Sequence, residues 1–93
     1  MPYIQESDRA VIGPPDMGGI DSPGSLNFTI TRLVHEYICD KGLNYRTINE
    51  AIGILECAKL ELYRMVAAKY EDKKRIENGP VSDLDAIQLN EVR

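Results

Sequence analysis

The side chains that could hold a ligand are few, and they fall in two stretches of the chain. Arg32 and His35 are three residues apart, so on a helix they share a face. The guanidinium can grip a phosphate or carboxylate with two parallel hydrogen bonds, and the imidazole adds a pH-sensitive donor or acceptor. Asn49, Glu56 and Tyr63 recur at intervals of seven and share a face of a second helix, with Arg64 adjoining. Tyrosine can stack on a base or donate a hydrogen bond, and Glu56 could order an arginine across a helix–helix seam. Arg46 stands near the start of that second helix, where unpaired amides already favour anions. Arg32, His35, Arg46, Glu56, Tyr63 and Arg64 therefore form the candidate ligand-binding set. Its chemistry suits a small anion such as a nucleotide. The competing expectation is structural: a solvated rim in which Arg32 pairs with Glu36, Glu56 or Glu61.

Catalytic signatures are absent. There is no GxSxG, Walker loop, GxGxxG or HExxH. The lone histidine, His35, gives no multi-histidine metal site within one chain, and a carboxylate-bridged di-metal bundle needs paired Glu-x-x-His elements. No catalytic residue, metal ligand or cofactor is assigned, and the expectation is a protein that binds without turnover.

With 93 residues the chain is one small domain by default. Such a domain buries only roughly 60–65% of its unfolded surface, so its own core is marginal. Eleven basic residues against fifteen acidic ones leave a net charge of −4, which argues against a nucleic-acid backbone as partner. Cys39 and Cys57 lie outside any CxxC and inside apolar helical patterns, where a reduced, buried thiol is expected. No stretch approaches the roughly 20 apolar residues of a membrane span, and no basic-then-apolar leader is visible. The expected location is the cytoplasm, that of the host if the chain is phage-encoded.

Hydrophobic spacing predicts an all-α fold. Pro14-Pro15, Gly18-Gly19 and Pro23-Gly24 mark residues 1–24 as a flexible arm, with a short helical turn at 6–12. Leu26, Ile30, Leu33, Val34, Tyr37 and Ile38 make the apolar stripe of a first helix over 25–41, capped by Ser22 or Ser25 and stopped at Gly42. Asn44 or Thr47 caps a second, longer helix. Its seam runs through Ile48, Ile52, Leu55, Leu62 and Val66, widened by Ala51, Ala58 and Met65. Gly53 in its middle marks either a close helix contact or a tolerated weakness. Asn78-Gly79-Pro80 ends the helical hairpin core at 25–79. Residues 80–93 form a tail or a short helix, with Ser82 as cap and Asp85 where a capping box prefers Glu. The second helix is apolar on more sides than one preceding helix can cover. The expectation is a helical bundle made by oligomerisation, most simply a homodimer.

The segments MPYI at 1–4, LNFTITRLVHEY at 26–37, GLNYRTINEAIGILECAKLELYRMV at 42–66 and KYEDKKRIENG at 69–79 resemble a small family of uncharacterised phage, prophage and bacterial proteins. Similar sequences end in Asp-Val-Tyr soon after the Asn-Gly pair, whereas here Pro80 and a longer tail replace that ending. The resemblance brings no activity with it. Its phage setting suits a small non-enzymatic protein that masks a host or phage protein. The alternative is sequestration of a small anionic ligand such as a nucleotide.

Overall fold

Helix α1, Glu6–Ile12, opens with Glu6 and Asp8 in its first turn, carries Arg9 in its last and stops at Gly13, whose φ is 75°. The computed structural model describes residues 3–13 and 17–92. The Pro14-Pro15 break lies outside the described residues, and among those described there is no strand. The protein is all-α, and it divides into two compact units, Met1–Cys57 and Ala58–Arg93. The division falls within one continuous helical run.

In the first unit, α2 spans Pro23–Lys41. Ser22 is its cap: the Ser22 hydroxyl accepts the Ser25 N–H at 3.1 Å, and the Ser25 hydroxyl accepts the Ser22 N–H at 3.0 Å. Serine thus fills both places of a capping box whose second residue is usually Glu. Pro23 can occupy the first helical position because its missing N–H would have no partner there, so the helix begins two residues before Ser25. Gly42, at φ 105°, ends α2, and its N–H closes on the Ile38 carbonyl at 2.8 Å.

Asn44 starts α3, Tyr45–Leu62. Its side-chain oxygen accepts both the Thr47 N–H, at 3.0 Å, and the Thr47 hydroxyl, at 2.9 Å. The Tyr37 hydroxyl donates to Glu50 at 3.4 Å, across the turn joining the two helices. Thr47 and Ala51 are the buried residues of α3. A Cβ built on Gly53 meets nothing within 4 Å, so this glycine marks no close contact. Cys39 is exposed and Cys57 half-buried, both unbridged. Cys39 sits one residue past Ile38, off the apolar stripe, which is why it escapes the burial its neighbours suggested.

In the second unit the backbone passes through a π-helical turn, Tyr63–Ala67, into α4, Ala68–Asn78. A π-turn inserts about one residue into the helical register and re-aims the side chains of the next segment by roughly 100°. The three-four seam read through Val66 assumes α-helical register and does not survive this turn. Gly79, at φ 89°, ends α4. Residues Asp83–Val92 are helical, α5, and not an extended tail. The reason is polar: the Ser82 hydroxyl accepts the Asp85 N–H at 3.1 Å, and Asp85 reaches back past Ser82 to accept the Val81 N–H at 2.8 Å. Arg75 on α4 donates to Asp72 at 2.7 Å and also to Asp85. Leu89 is buried, at 2% exposure.

Candidate functional site

One concavity of the first unit belongs to apolar side chains. Leu26, Ile30 and Val34 fall on one stripe of α2 because they are four residues apart. With Leu55 of α3 they line a groove of about 550 Å³, to which Asn27, Thr31 and His35 add the polar part. A smaller hollow of about 190 Å³ is lined by Leu33, Val34, Tyr37, Ala51 and Ile54. Val34 lines both, so the two adjoin there. Leu26, Ile30, Leu33, Tyr37, Ile54 and Leu55 remain 36 to 61% exposed in their linings.

A third cleft, of about 240 Å³, is polar and is lined by Lys41, Asn44, Arg46, Thr47 and Glu50. Asn44 and Thr47 there are occupied with capping α3, and Arg46 donates through Nε to Glu50 at 3.1 Å.

The residues expected to hold an anion are scattered over both units. Arg32 donates through Nε to Glu36 at 3.4 Å, one helical turn away, with both side chains well exposed. His35 joins the apolar groove and Arg46 the polar cleft. Glu56 is exposed on α3. Tyr63 and Arg64 belong to the second unit, where the Tyr63 hydroxyl donates to Glu71 at 3.4 Å and Arg64 Nη2 donates to Glu61 at 2.9 Å. Lys74 lies 5.5 Å from the centre of the Tyr70 ring and also donates to Glu77 at 3.3 Å. Among the described residues no group of three or more His, Cys, Asp or Glu gathers as a metal site, and no helix is long and apolar enough to cross a membrane.

Two perturbed groups lie in the second unit. The Val81 N–H, and then the Arg75 guanidinium, hold the Asp85 carboxyl below the usual carboxylate range. Hydrogen bonds to Asp85 and then to Asp72 raise the Arg75 guanidinium. Arg75 Nε remains buried without an acceptor. This cluster ties α4 to α5. It faces no cavity described above, and its chemistry is that of a clip.

Residues 1–81 match a domain of unknown function, DUF6899. The chain belongs to the DUF6899 family. The family match ends at Val81, so it takes in both helices of the grooved face and stops before α5. No curated protein and no solved structure matches the chain.

Sequence reasoning found the α2 stripe and expected the hairpin to pair in an oligomeric bundle. It did not anticipate that the stripe would line an open groove, and the only signal available was the shortage of chain to cover it. It also singled out Asp85 only as a capping residue. Its partner Arg75 is ten positions away, beyond the reach of helical periodicity.

Proposed function

We propose that this DUF6899 protein acts by protein–protein contact, without turnover, through the apolar face shared by α2 and α3. A protein whose own interface is seated on that face is masked while it stays there. One observation carries this reading: the 550 Å³ groove is lined by Leu26, Ile30, Val34 and Leu55, with no arginine, lysine or carboxylate. Exposed contiguous apolar surface of a few hundred Å² is characteristic of protein contact sites. Helix-in-groove recognition uses this kind of lining, with anchors at three- and four-residue spacing. The family resemblance adds a phage-related setting and, with it, the cytoplasm of an infected host as the place of action.

The anion reading has weaker support. Arg32, Arg46 and Arg64 each donate to a carboxylate on their own helical run, and a ligand would have to displace Glu36, Glu50 or Glu61. Displacement is cheap for the exposed Arg32–Glu36 and Arg46–Glu50 pairs, worth about 0–1 kcal/mol each, so the reading retains a chemical basis.

A comparison of wild type with Ile30→Asp tests the main reading. Tagged protein of each kind is recovered from the producing cells, and its companions are identified by mass spectrometry. Proteins held by wild type and lost by Ile30→Asp are the expected result. Identical companions for both, with a nucleotide retained in the native mass of wild type and lost in Arg32→Ala, would overturn it in favour of the anion.

A further inference from the structure

We infer that the resident occupant of the α2–α3 face is a second copy of this chain, seated face to face about a twofold axis. The inference rests on the reading of that face as a docking surface and names its partner. Three observations lead to it.

The first is area. Leu26, Ile30, Leu33, Tyr37, Ile54 and Leu55, at 36 to 61% exposure, leave on the order of 500 Å² of largely apolar surface in water. A standard interface takes about 800 Å² from each partner, of which about 65% is apolar in homodimers. The apolar share is then about 500 Å², which matches what one hairpin offers. A second copy brings the same patch by symmetry.

The second is charge. The linings of the groove and of the hollow contain no Arg, Lys, Asp or Glu. Arg32 is paired with Glu36 and Arg46 with Glu50. Two copies therefore meet without like-charge repulsion on this face, even though each chain carries −4. A foreign partner steered by opposite charge would find no charge here to recognise.

The third is the chemistry of the polar lining. Asn27, Thr31, His35 and Tyr37 supply an amide, a hydroxyl, an imidazole and a phenol. Within one chain the Thr31 hydroxyl donates to Asn27 Oδ1 at 3.0 Å and the Tyr37 hydroxyl to Glu50 at 3.4 Å, which leaves the Asn27 amide N–H groups to donate and the Thr31 and Tyr37 oxygens to accept. A twofold interface brings a surface against itself, so each polar group has to find its partner within the same patch of the other copy. A lysine-only or glutamate-only lining could not do so; this one can.

In the resting protein the face is thus closed by a copy of itself, and a foreign protein competes for the same side chains. The burial deficit of the first unit, whose single buried apolar residue among those described is Ala51, is made good by the same contact.

The test uses purified full-length protein in a Cys39→Ser, Cys57→Ser background. A benzophenone is attached at Ile30→Cys or, as control, at Ile87→Cys on α5, and irradiated at micromolar concentration. Sedimentation of unmodified protein runs in parallel. The expected result is a cross-linked species of twice the chain mass from position 30 only, a sedimenting dimer, and dimerisation at least 100-fold weaker in Leu33→Asp. A monomer in solution with no doubled mass from position 30 overturns the second copy. If that monomer, returned to extract of the producing cells, forms a position-30 adduct with a different protein, the docking reading survives with another partner. If it forms none, both readings fall. A dimer that cross-links from position 87 and not from position 30 overturns the assignment of the face. Cross-linking does not depend on the Leu33→Asp chain folding, so a variant that unfolds leaves the decision intact.

Discussion

Each of the two units is held together internally, and by different means. In the first, α2 and α3 are secured at their ends: Ser22 and Ser25 cap one, Asn44 caps the other, and Gly42 turns the chain between them. Along their sides a hydrogen bond, from the Tyr37 hydroxyl to Glu50, joins them, and among the described residues Thr47 and Ala51 are buried. In the second unit the link runs sideways. Arg75 of α4 holds Asp85 of α5, Asp85 holds the Val81 amide, and Leu89 is buried. The helices of the first unit are secured chiefly at their ends, and their exposed apolar side chains form the face that we propose a partner covers. A unit with a polar clip and a buried leucine has begun to stabilise itself. That contrast is the reason we propose the docking surface on the hairpin, and it can be broken or sharpened at four points.

Leu89→Ala should have the largest effect, because it empties one of the few fully buried apolar positions in the described chain. A loss of about 2–5 kcal/mol is expected for such a cavity, read by urea unfolding of the full chain. A loss below about 1 kcal/mol would show that α5 contributes little to the second unit.

Acid should act next, through Asp85. Its folded-state pKa is depressed, first by the Val81 N–H and then by Arg75, so its contribution is present above the ordinary carboxylate range and is lost as pH falls through the folded value. Stability of wild type should therefore decline below about pH 4, and Asp85→Asn should be less stable at neutral pH with a flatter acid limb. Parallel acid limbs in the two proteins would refute the clip.

Ser22→Ala removes one half of the α2 capping box and should cost about 1 kcal/mol, measured as a shift in the thermal midpoint. An amide-exchange experiment should place the fraying in the first turn of α2, around residues 23–26, and leave α5 protected.

Arg32→Ala should have the smallest effect. Its pair with Glu36 is exposed on both sides, and such pairs contribute a few tenths of a kcal/mol. An unchanged melting temperature and oligomeric state is the expected outcome. A marked loss of stability would mean that Arg32 holds the assembly together by a contact beyond its own helix.

Several features of the fold were legible locally. A cap acts over three residues and a glycine stop over one or two, so Gly42 and Gly79 announced their helix ends, and the choices Ser22 or Ser25 and Asn44 or Thr47 contained the caps that the structure shows, Ser22 and Asn44. The α2 stripe was equally plain, since period alone groups Leu26, Ile30 and Val34. The π-turn at Tyr63–Ala67 was not, because nothing in YRMVA differs from an ordinary helical stretch. The state of residues 82–92 was ambiguous because Leu84, Ile87 and Leu89 favour neither period, and Asp85 settles it by pairing with a residue on another helix.

The candidate site divides in the same way. The residue types at Arg32, Arg46 and Arg64 suggested anion chemistry, with pairing of Arg32 to Glu36, Glu56 or Glu61 as the competing expectation, and each arginine meets a carboxylate three or four positions away. The sequence by itself determined an all-helical chain, where its helices stop, and the apolar stripe of α2, because those depend on interactions within a few residues. Tertiary structure alone decided that the stripe opens into a groove and that Arg75 finds Asp85. Both depend on which helix faces are brought together, and short-range spacing carries no information about distant partners.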